Sequence, residues 1–325
     1  MQNVIDDTPL IQVKNINTGM CELFLKMENM SANGSIKDRI AIAMLDAAEK
    51  SGKLKPGGTI VEASAGNTGI SLAQVGAARG YKVIIVIFDK VSAEKVAHLK
   101  QLGAEVITTT SKAPSSHPDN FKAIASRIAK ENPSYYYVDQ FNNEANPLVH
   151  EQTTAPEIWR QMQYNVDAIV LGAGSGGHLT GIGKFFAGMK KDVEIILADP
   201  KGSALADVVN NTNCKEDYAW KIEGIGHDFV PKTCNLSYAS SAMTIEDGRA
   251  FAAARLLFEK ENILSGPSTG AMIAASLEFC RAQTTAKRVV SFVYDSGKNY
   301  LSKMYSDTWI DEQGIVLDSN LMQEM

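Results

Sequence analysis

Apolar runs of strand length alternate with helix-length stretches along most of this chain, and that alternation limits the folds open to it. Residues 59–62 lead to a helical stretch at 70–79, residues 82–87 to one at 93–102, and residues 105–108 to one at 121–131. A second series holds strand-like runs at 166–171, 193–198 and 288–293, with helical stretches running to 189 and over 246–259 and 270–281. Such order predicts parallel strands joined by crossover helices, in an α/β chain of two doubly wound units. At 325 residues the chain is long enough for about two domains and buries about three quarters of its unfolded surface. Residues 109–119 read as a loop, and residues 210–218 break the pattern with polar side chains. No fixed-period repeat or low-complexity tract is present. The pattern alone places one cut, near Pro147.

Chemistry gathers where strands turn into helices. Asn33-Gly34-Ser35-Ile36-Lys37-Asp38-Arg39 places a lysine between the strand Leu23-Phe24-Leu25 and a helix over 40–48. A partly buried lysine at such a position loses its proton more easily and condenses with an aldehyde. Ser64-Ala65-Gly66-Asn67-Thr68-Gly69 occupies a second junction and Gly172-Ala173-Gly174-Ser175-Gly176-Gly177 a third. Glycine-lined helix entrances suit anions, because first-turn N–H groups have no partner within the helix. Lysine, asparagine loop and phosphate cradle together indicate a site for pyridoxal 5′-phosphate (PLP).

Five motifs in order, from the Lys37 turn and Ala65-Gly66-Asn67-Thr68-Gly69 through the glycine loop, Glu223-Gly224-Ile225-Gly226 and Ser265-Gly266-Pro267-Ser268-Thr269-Gly270, carry a closer likeness. From about Thr8 to about Trp309 the chain resembles the cysteine synthase and cystathionine β-synthase family of PLP enzymes. The resemblance implies the tryptophan synthase β-like architecture (fold type II): two doubly wound αβα domains with a PLP cleft between them. It implies a small mobile domain at 41–145, which binds the substrate carboxylate. It implies a large PLP-binding domain made of 1–40 plus 146–325.

The same resemblance assigns roles. Lys37 forms the Schiff base with the cofactor and then serves as acid and base at the substrate Cα. Gly174, Ser175, Gly176, Gly177 and His178 hold the 5′-phosphate, Asn67 meets the phenolic oxygen, and Ser268 faces the pyridine nitrogen. A hydroxyl at that nitrogen suits β-elimination over transamination. Ser64, Ala65, Gly66, Asn67 and Thr68, with Gln140, receive the substrate carboxylate. Ala65 replaces a common serine without removing the backbone donors. His178 stands where threonine is usual, and either donates to the phosphate or points away.

The segment Gly224-Ile225-Gly226-His227 is expected to face the second substrate. Glu223 and Asp228-Phe229 resemble cystathionine β-synthases, in which a tyrosine stands at the place of His227, whereas His150 to Trp159 reads more like a cysteine synthase. The favoured expectation is β-replacement on O-acetyl-L-serine through an aminoacrylate, with sulfide entering to give L-cysteine. Homocysteine entering to give cystathionine is the alternative, followed by desulfhydration of cysteine to hydrogen sulfide. A PLP-retaining, partner-binding protein without turnover is the non-enzymatic alternative.

Gly172, Gly174 and Gly177, with Asp199 placed 22 residues beyond the last of them, also satisfy a dinucleotide-binding fingerprint. That reading leaves Lys37 and Asn67 without work. A formal charge of −5 without clustered Lys and Arg argues against nucleic acid. The N-terminal residues show no basic, apolar leader, and no apolar run nears membrane-spanning length, so a cytoplasmic protein off the membrane is expected. Cys21, Cys214, Cys234 and Cys280 lack metal-ligand spacing and read as reduced structural thiols. His98, His117 and His150 show no ligand spacing, and no metal is expected. The resemblance implies a homodimer acting on small amino acids. The chain's start at the core, without room for a haem segment, and its end soon after Trp309 fit a small bacterial-type synthase.

Overall fold

The structure is a computed structural model that describes the chain apart from residues 1–6, 65, 90, 92, 111–112, 114–116 and 213–218. Its strands are β1 (Leu10–Gln12), β2 (Glu22–Lys26), β3 (Thr59–Ala63), β4 (Lys82–Phe88), β5 (Glu105–Thr109), β6 (Tyr135–Tyr137), β7 (Ala168–Leu171), β8 (Glu194–Pro200), β9 (Ser241–Ile245) and β10 (Arg288–Phe292). The chain divides into two compact units, one of them Lys37–Asn146 and the other the segment ending at Ile36 together with Pro147–Met325. The helix Lys37–Lys50 stays whole in the first, so the cut falls ahead of residue 41.

In the first unit the order β5-β4-β3-β6 is parallel throughout. β3 is buried at every position, as expected of a parallel strand covered on both faces. The crossovers are the helices Asn67–Ala78, Ala93–Gln101 and Phe121–Glu131. The last begins where the Asn120 side chain accepts from Lys122 N, a standard N-cap, and it packs Ala125 against Val61, Ala63, Ile84 and Val86.

The second unit carries the order β1-β2-β10-β7-β8-β9. Every neighbouring pair is parallel except the edge pair β1 and β2. β7 is buried along its length, and β10 at all but its first residue. Because each crossover carries the chain back to the start of the next strand, β7 and β8 end on the same edge of the sheet. β7 leads through the glycine loop into the helix Gly177–Gly188.

β2 reads in sequence as an apolar run, yet it closes on a fully buried charge. Lys26 Nζ donates to Thr8 O at 2.6 Å and Gln161 Oε1 at 2.9 Å and pairs with Glu157 at 2.8 Å. That cluster fixes the end of β2, from which the chain runs into the turn ahead of Lys37. Breaking a buried pair on one side leaves the other charge uncompensated. Lys26→Met is therefore expected to lower the urea-unfolding stability by about 3–5 kcal/mol, and pairing it with Glu157→Gln to recover part of the loss.

Candidate active site

The glycine loop in the second unit is shaped by what packs behind it. Gly176 adopts a positive φ of 82°, and a Cβ there would lie 2.1 Å from Cys234 Cβ, so both the conformation and the space demand glycine. At Gly174 a Cβ would come within 2.5 Å of Gly224 O. Thr233 Oγ1 donates to Ser175 O at 2.6 Å and fixes the loop from below. The following helix, Gly177–Gly188, is 12 residues long, so its first-turn N–H groups and dipole face the loop. A loop stripped of side chains at a helix entrance fits a phosphate ester.

Gly224-Ile225-Gly226 lies directly against this loop. Gly226 N donates to Ala173 O at 3.0 Å, and a Cβ on Gly224 would sit 3.7 Å from Ser268 Oγ. Ser268 is buried in the first turn of the helix Pro267–Arg281. The fold thus collects Gly174, Gly224 and Ser268, which lie far apart in sequence. Glu223 turns aside and accepts from Lys303 Nζ at 2.6 Å.

The two unusual histidines are held by neighbours. His178 is buried, its Nδ1 lies 3.2 Å from the Tyr294 hydroxyl, and its ring meets Phe292 edge-on at 4.3 Å and His150 at 4.9 Å. Tyr294 also accepts from Gly172 N at 2.9 Å, so it ties the glycine loop to the end of β10, and burial raises its hydroxyl pKa. Sequence reading passed over Tyr294, although its place just after the apolar run at 288–293 was a usable signal. His227 is half-buried, with its ring against Phe229 at 5.0 Å. Its backbone is clamped on both sides: its N donates to Ser203 Oγ at 3.0 Å, and its O accepts from Ala204 N at 2.8 Å.

Asp199, the acid of the dinucleotide fingerprint, is completely buried. One carboxylate oxygen accepts from Ser203 Oγ and the other from Ala206 N, both at 2.8 Å. It organises the turn after β8, which removes it as a ribose ligand. Burial, opposed by these hydrogen bonds, pushes its pKa up to about 6. Cys21, Cys234 and Cys280 are buried and unbridged, and burial pushes the Cys234 thiol up to about 12. Cys214 lies outside the described residues.

In the first unit Lys37 opens the helix Lys37–Lys50, half-buried, beside Asp38, which accepts from Ser71 Oγ at 2.6 Å. The turn that leads to it is pinned by Ile36 N donating to Tyr294 O at 3.0 Å and by paired Ser31–Ser35 hydrogen bonds. Asn67 opens the helix Asn67–Ala78, while Ser64 Oγ accepts from Gly69 N at 3.1 Å and serves as a cap. Ala65 lies outside the described residues. Thr68 Oγ1 donates to Gln140 Oε1 at 2.8 Å, and Gln140 Nε2 donates to Glu62 Oε1 at 3.2 Å. Sequence reading missed Glu62. Its signal was an acid in an otherwise apolar strand two residues before the asparagine loop.

The family model for pyridoxal-phosphate dependent enzymes matches residues 1–295. The chain belongs to that family. Its cofactor is pyridoxal 5′-phosphate, and its architecture is that of fold type II. The chain is 40% identical to the cystathionine beta-synthase of Apis mellifera over 96% of this chain and 62% of that protein. It is 39% identical to the cystathionine beta-synthase of Oryctolagus cuniculus, over 98% of this chain and 58% of that one. It therefore spans about three fifths of the length of these curated relatives. Among solved structures, an O-ureido-L-serine synthase matches with a TM-score of 0.86 at 30% identity, covering 94% of this chain and 97% of that one. A hydrogen sulfide-producing enzyme from Fusobacterium nucleatum matches with a TM-score of 0.82 at 33% identity, over 91% and 97%. Among the described residues no helix is long and apolar enough to cross a membrane.

The raised Asp199 pKa has a direction that can be measured. A carboxyl whose folded pKa lies above its unfolded value near 3.8 contributes stability that is complete below pH 3.8 and lost as pH rises through about 6. Relative to Asp199→Asn, whose side chain does not titrate, wild type is expected to lose about 2 kcal/mol of urea-unfolding free energy between pH 4 and pH 7.5.

Proposed function

We propose that the chain catalyses β-replacement on serine or an O-activated serine, with homocysteine as the incoming thiol and cystathionine as the product. The observation that carries this reading is 40% identity to a cystathionine beta-synthase along 96% of the chain. Glu223 and Asp228-Phe229 add local support, since they resemble that branch of the family. The sequence-based lean toward sulfide drew in part on residues 150–159, a stretch in which His150, Thr154, Ala155 and Ile158 are buried. His150, for example, holds Thr154 Oγ1 at 2.9 Å. A second reading, with sulfide as nucleophile or product, is favoured by the likeness to the hydrogen sulfide-producing enzyme.

In this reading Lys37 is the covalent anchor and then the acid and base. Its amine, once released by the incoming amino acid, takes the proton from Cα. The glycine loop from Gly174 to Gly177 would hold the phosphate through backbone N–H groups; by the family resemblance Asn67 would meet the phenolic oxygen and Ser268 the pyridine nitrogen. The residues from Ser64 to Thr68 and Gln140 receive the substrate carboxylate. When bound, the cofactor supplies an electron sink that lets the β-substituent leave. The backbone at Gly224 and Gly226 lines the approach for the thiol.

Borohydride reduction of the loaded protein followed by peptide mass analysis is expected to place a cofactor-sized adduct on the peptide containing Lys37. Lys37→Ala should carry none and should lose turnover at least about a thousandfold. Offered homocysteine and sulfide separately with serine or O-acetylserine, the enzyme is expected to form cystathionine with the higher kcat/KM. Faster cysteine formation would establish the second reading instead.

A further inference from the structure

Glu62 on β3 is 1% exposed, and Gln140 and Thr68 beside it are 6% and 3% exposed. Gln140 is held on both sides, since Asn146 Nδ2 donates to its backbone O at 2.8 Å and Asp139 before it takes a left-handed φ of 52°. In the observed chain Thr68 gives its hydroxyl proton to Gln140 Oε1, and Gln140 Nε2 gives a proton to Glu62 Oε1. Glu62 Oε2 is buried with no hydrogen-bond partner among the described residues.

That direction of donation has a chemical consequence. A hydroxyl has one proton, so Thr68 turned toward Gln140 presents lone pairs to anything on its other side, and lone pairs repel a carboxylate. A half-turn of the Gln140 amide reverses both bonds. Its Nε2 then donates to Thr68 Oγ1, which frees the hydroxyl proton, while its Oε1 comes to face Glu62. The separations of 2.8 and 3.2 Å suit donation in either sense. An ionised Glu62 only accepts and would set two acceptors face to face, whereas a neutral acid donates.

We propose that Glu62 is a positioning residue for the amino-acid carboxylate, donating as a neutral acid to the turned amide of Gln140 so that the Thr68 hydroxyl donates to the substrate. The inference deepens the β-replacement reading and rests on it. No proton changes owner, and one amide rotation reverses the chain. The surroundings favour the neutral acid. Burial first, and then the charge of Asp139, push Glu62 up to about 8, against weaker hydrogen bonds from Asp139 and Gln140. β4 presents Ile85 opposite Glu62, and Tyr136 and Tyr137 on β6 have hydroxyl pKa values raised first by burial.

The test is the binding of L-serine to the PLP-loaded protein, without thiol, followed through the cofactor's absorbance from pH 6.5 to pH 9.5. Deprotonation of the serine amine affects every variant alike, so the informative quantity is the ratio of the wild-type Kd to that of Glu62→Gln, whose amide donates at every pH. That ratio is expected to stay near one at pH 7 and to climb about tenfold by pH 9, as the competent neutral fraction falls. Gln140→Met, which transmits no donor, should bind weakly at all pH and lose the alkaline limb. Thermal melting of the cofactor-free proteins supplies a reading apart from the loaded enzyme: wild type should lose stability from pH 5 to pH 9 relative to Glu62→Gln. Should Glu62→Gln fail to fold, wild type against Gln140→Met carries the same comparison.

A flat ratio overturns the proposal, and so does an alkaline limb that persists in Gln140→Met, which would mark through-space repulsion by Glu62. A wild type that gives no response to L-serine at any pH overturns the carboxylate-site reading and this inference with it. A wild type that binds L-serine without the limb overturns the inference alone.

Discussion

Parallel strands oblige a chain to finish each β-element where a helix must begin, and every such beginning leaves backbone N–H groups without an intrahelical partner. This constraint governs the rest of the molecule. Ser64 answers it after β3 by accepting from Gly69 N, and Asp199 answers it after β8 by accepting from Ala206 N. After β7 the helix Gly177–Gly188 begins from Gly176 in the left-handed region, an N-cap that brings no side chain of its own. A glycine there leaves the helix entrance without a bulky side chain, which suits the phosphate proposed for it. Tyr294 and Thr233 then supply the rigidity that glycine lacks, by binding the loop backbone from behind.

The alternation of strands and helices was legible because a parallel strand buried on both faces is a continuous apolar run, as in β3, β4, β7 and β10. β6 escaped notice, since Tyr135-Tyr136-Tyr137 is three residues long and offers no period. β9 is half exposed, and Ser241, Thr244 and Met243 hide its single buried end at Ile245. Buried charge was the harder lesson. Lys26 follows an apolar strand and looks like its solvated end, but its partners Thr8, Glu157 and Gln161 come from elsewhere in the chain. Local sequence does not encode such meetings.

The motifs of the candidate site were readable for a related reason. Glycines and asparagines at strand-to-helix junctions are punctuation with few purposes, so their order carried the resemblance. What the residues touch was another matter. Gln140 stood out by likeness alone, while Glu62, 78 residues earlier, supplies the contact that orients it. The fingerprint at Gly172, Gly174, Gly177 and Asp199 shows the opposite case, a pattern complete in spacing whose acid is spent on a turn. Spacing states where a side chain can go, and hydrogen bonds state where it has gone.

The segment proposed to face the second substrate shows how a wall can be built from backbone. Gly224 and Gly226 both take positive φ, and Gly226 N is anchored on Ala173 O beside the phosphate loop. Beyond them the His227 backbone is clamped to Ser203, which is itself held by Asp199. Glu223 is drawn off to Lys303 on the other side. A segment tethered at both ends, with glycine on either side of Ile225, presents a fixed wall made largely of peptide groups. Under the proposed function that wall faces the incoming thiol, and the Asp199–Ser203 hydrogen bond holds its far end in place. Asp199 thereby acts on the His227 backbone through Ser203, so a buried acid that the spacing offered to a ligand is spent on holding a loop.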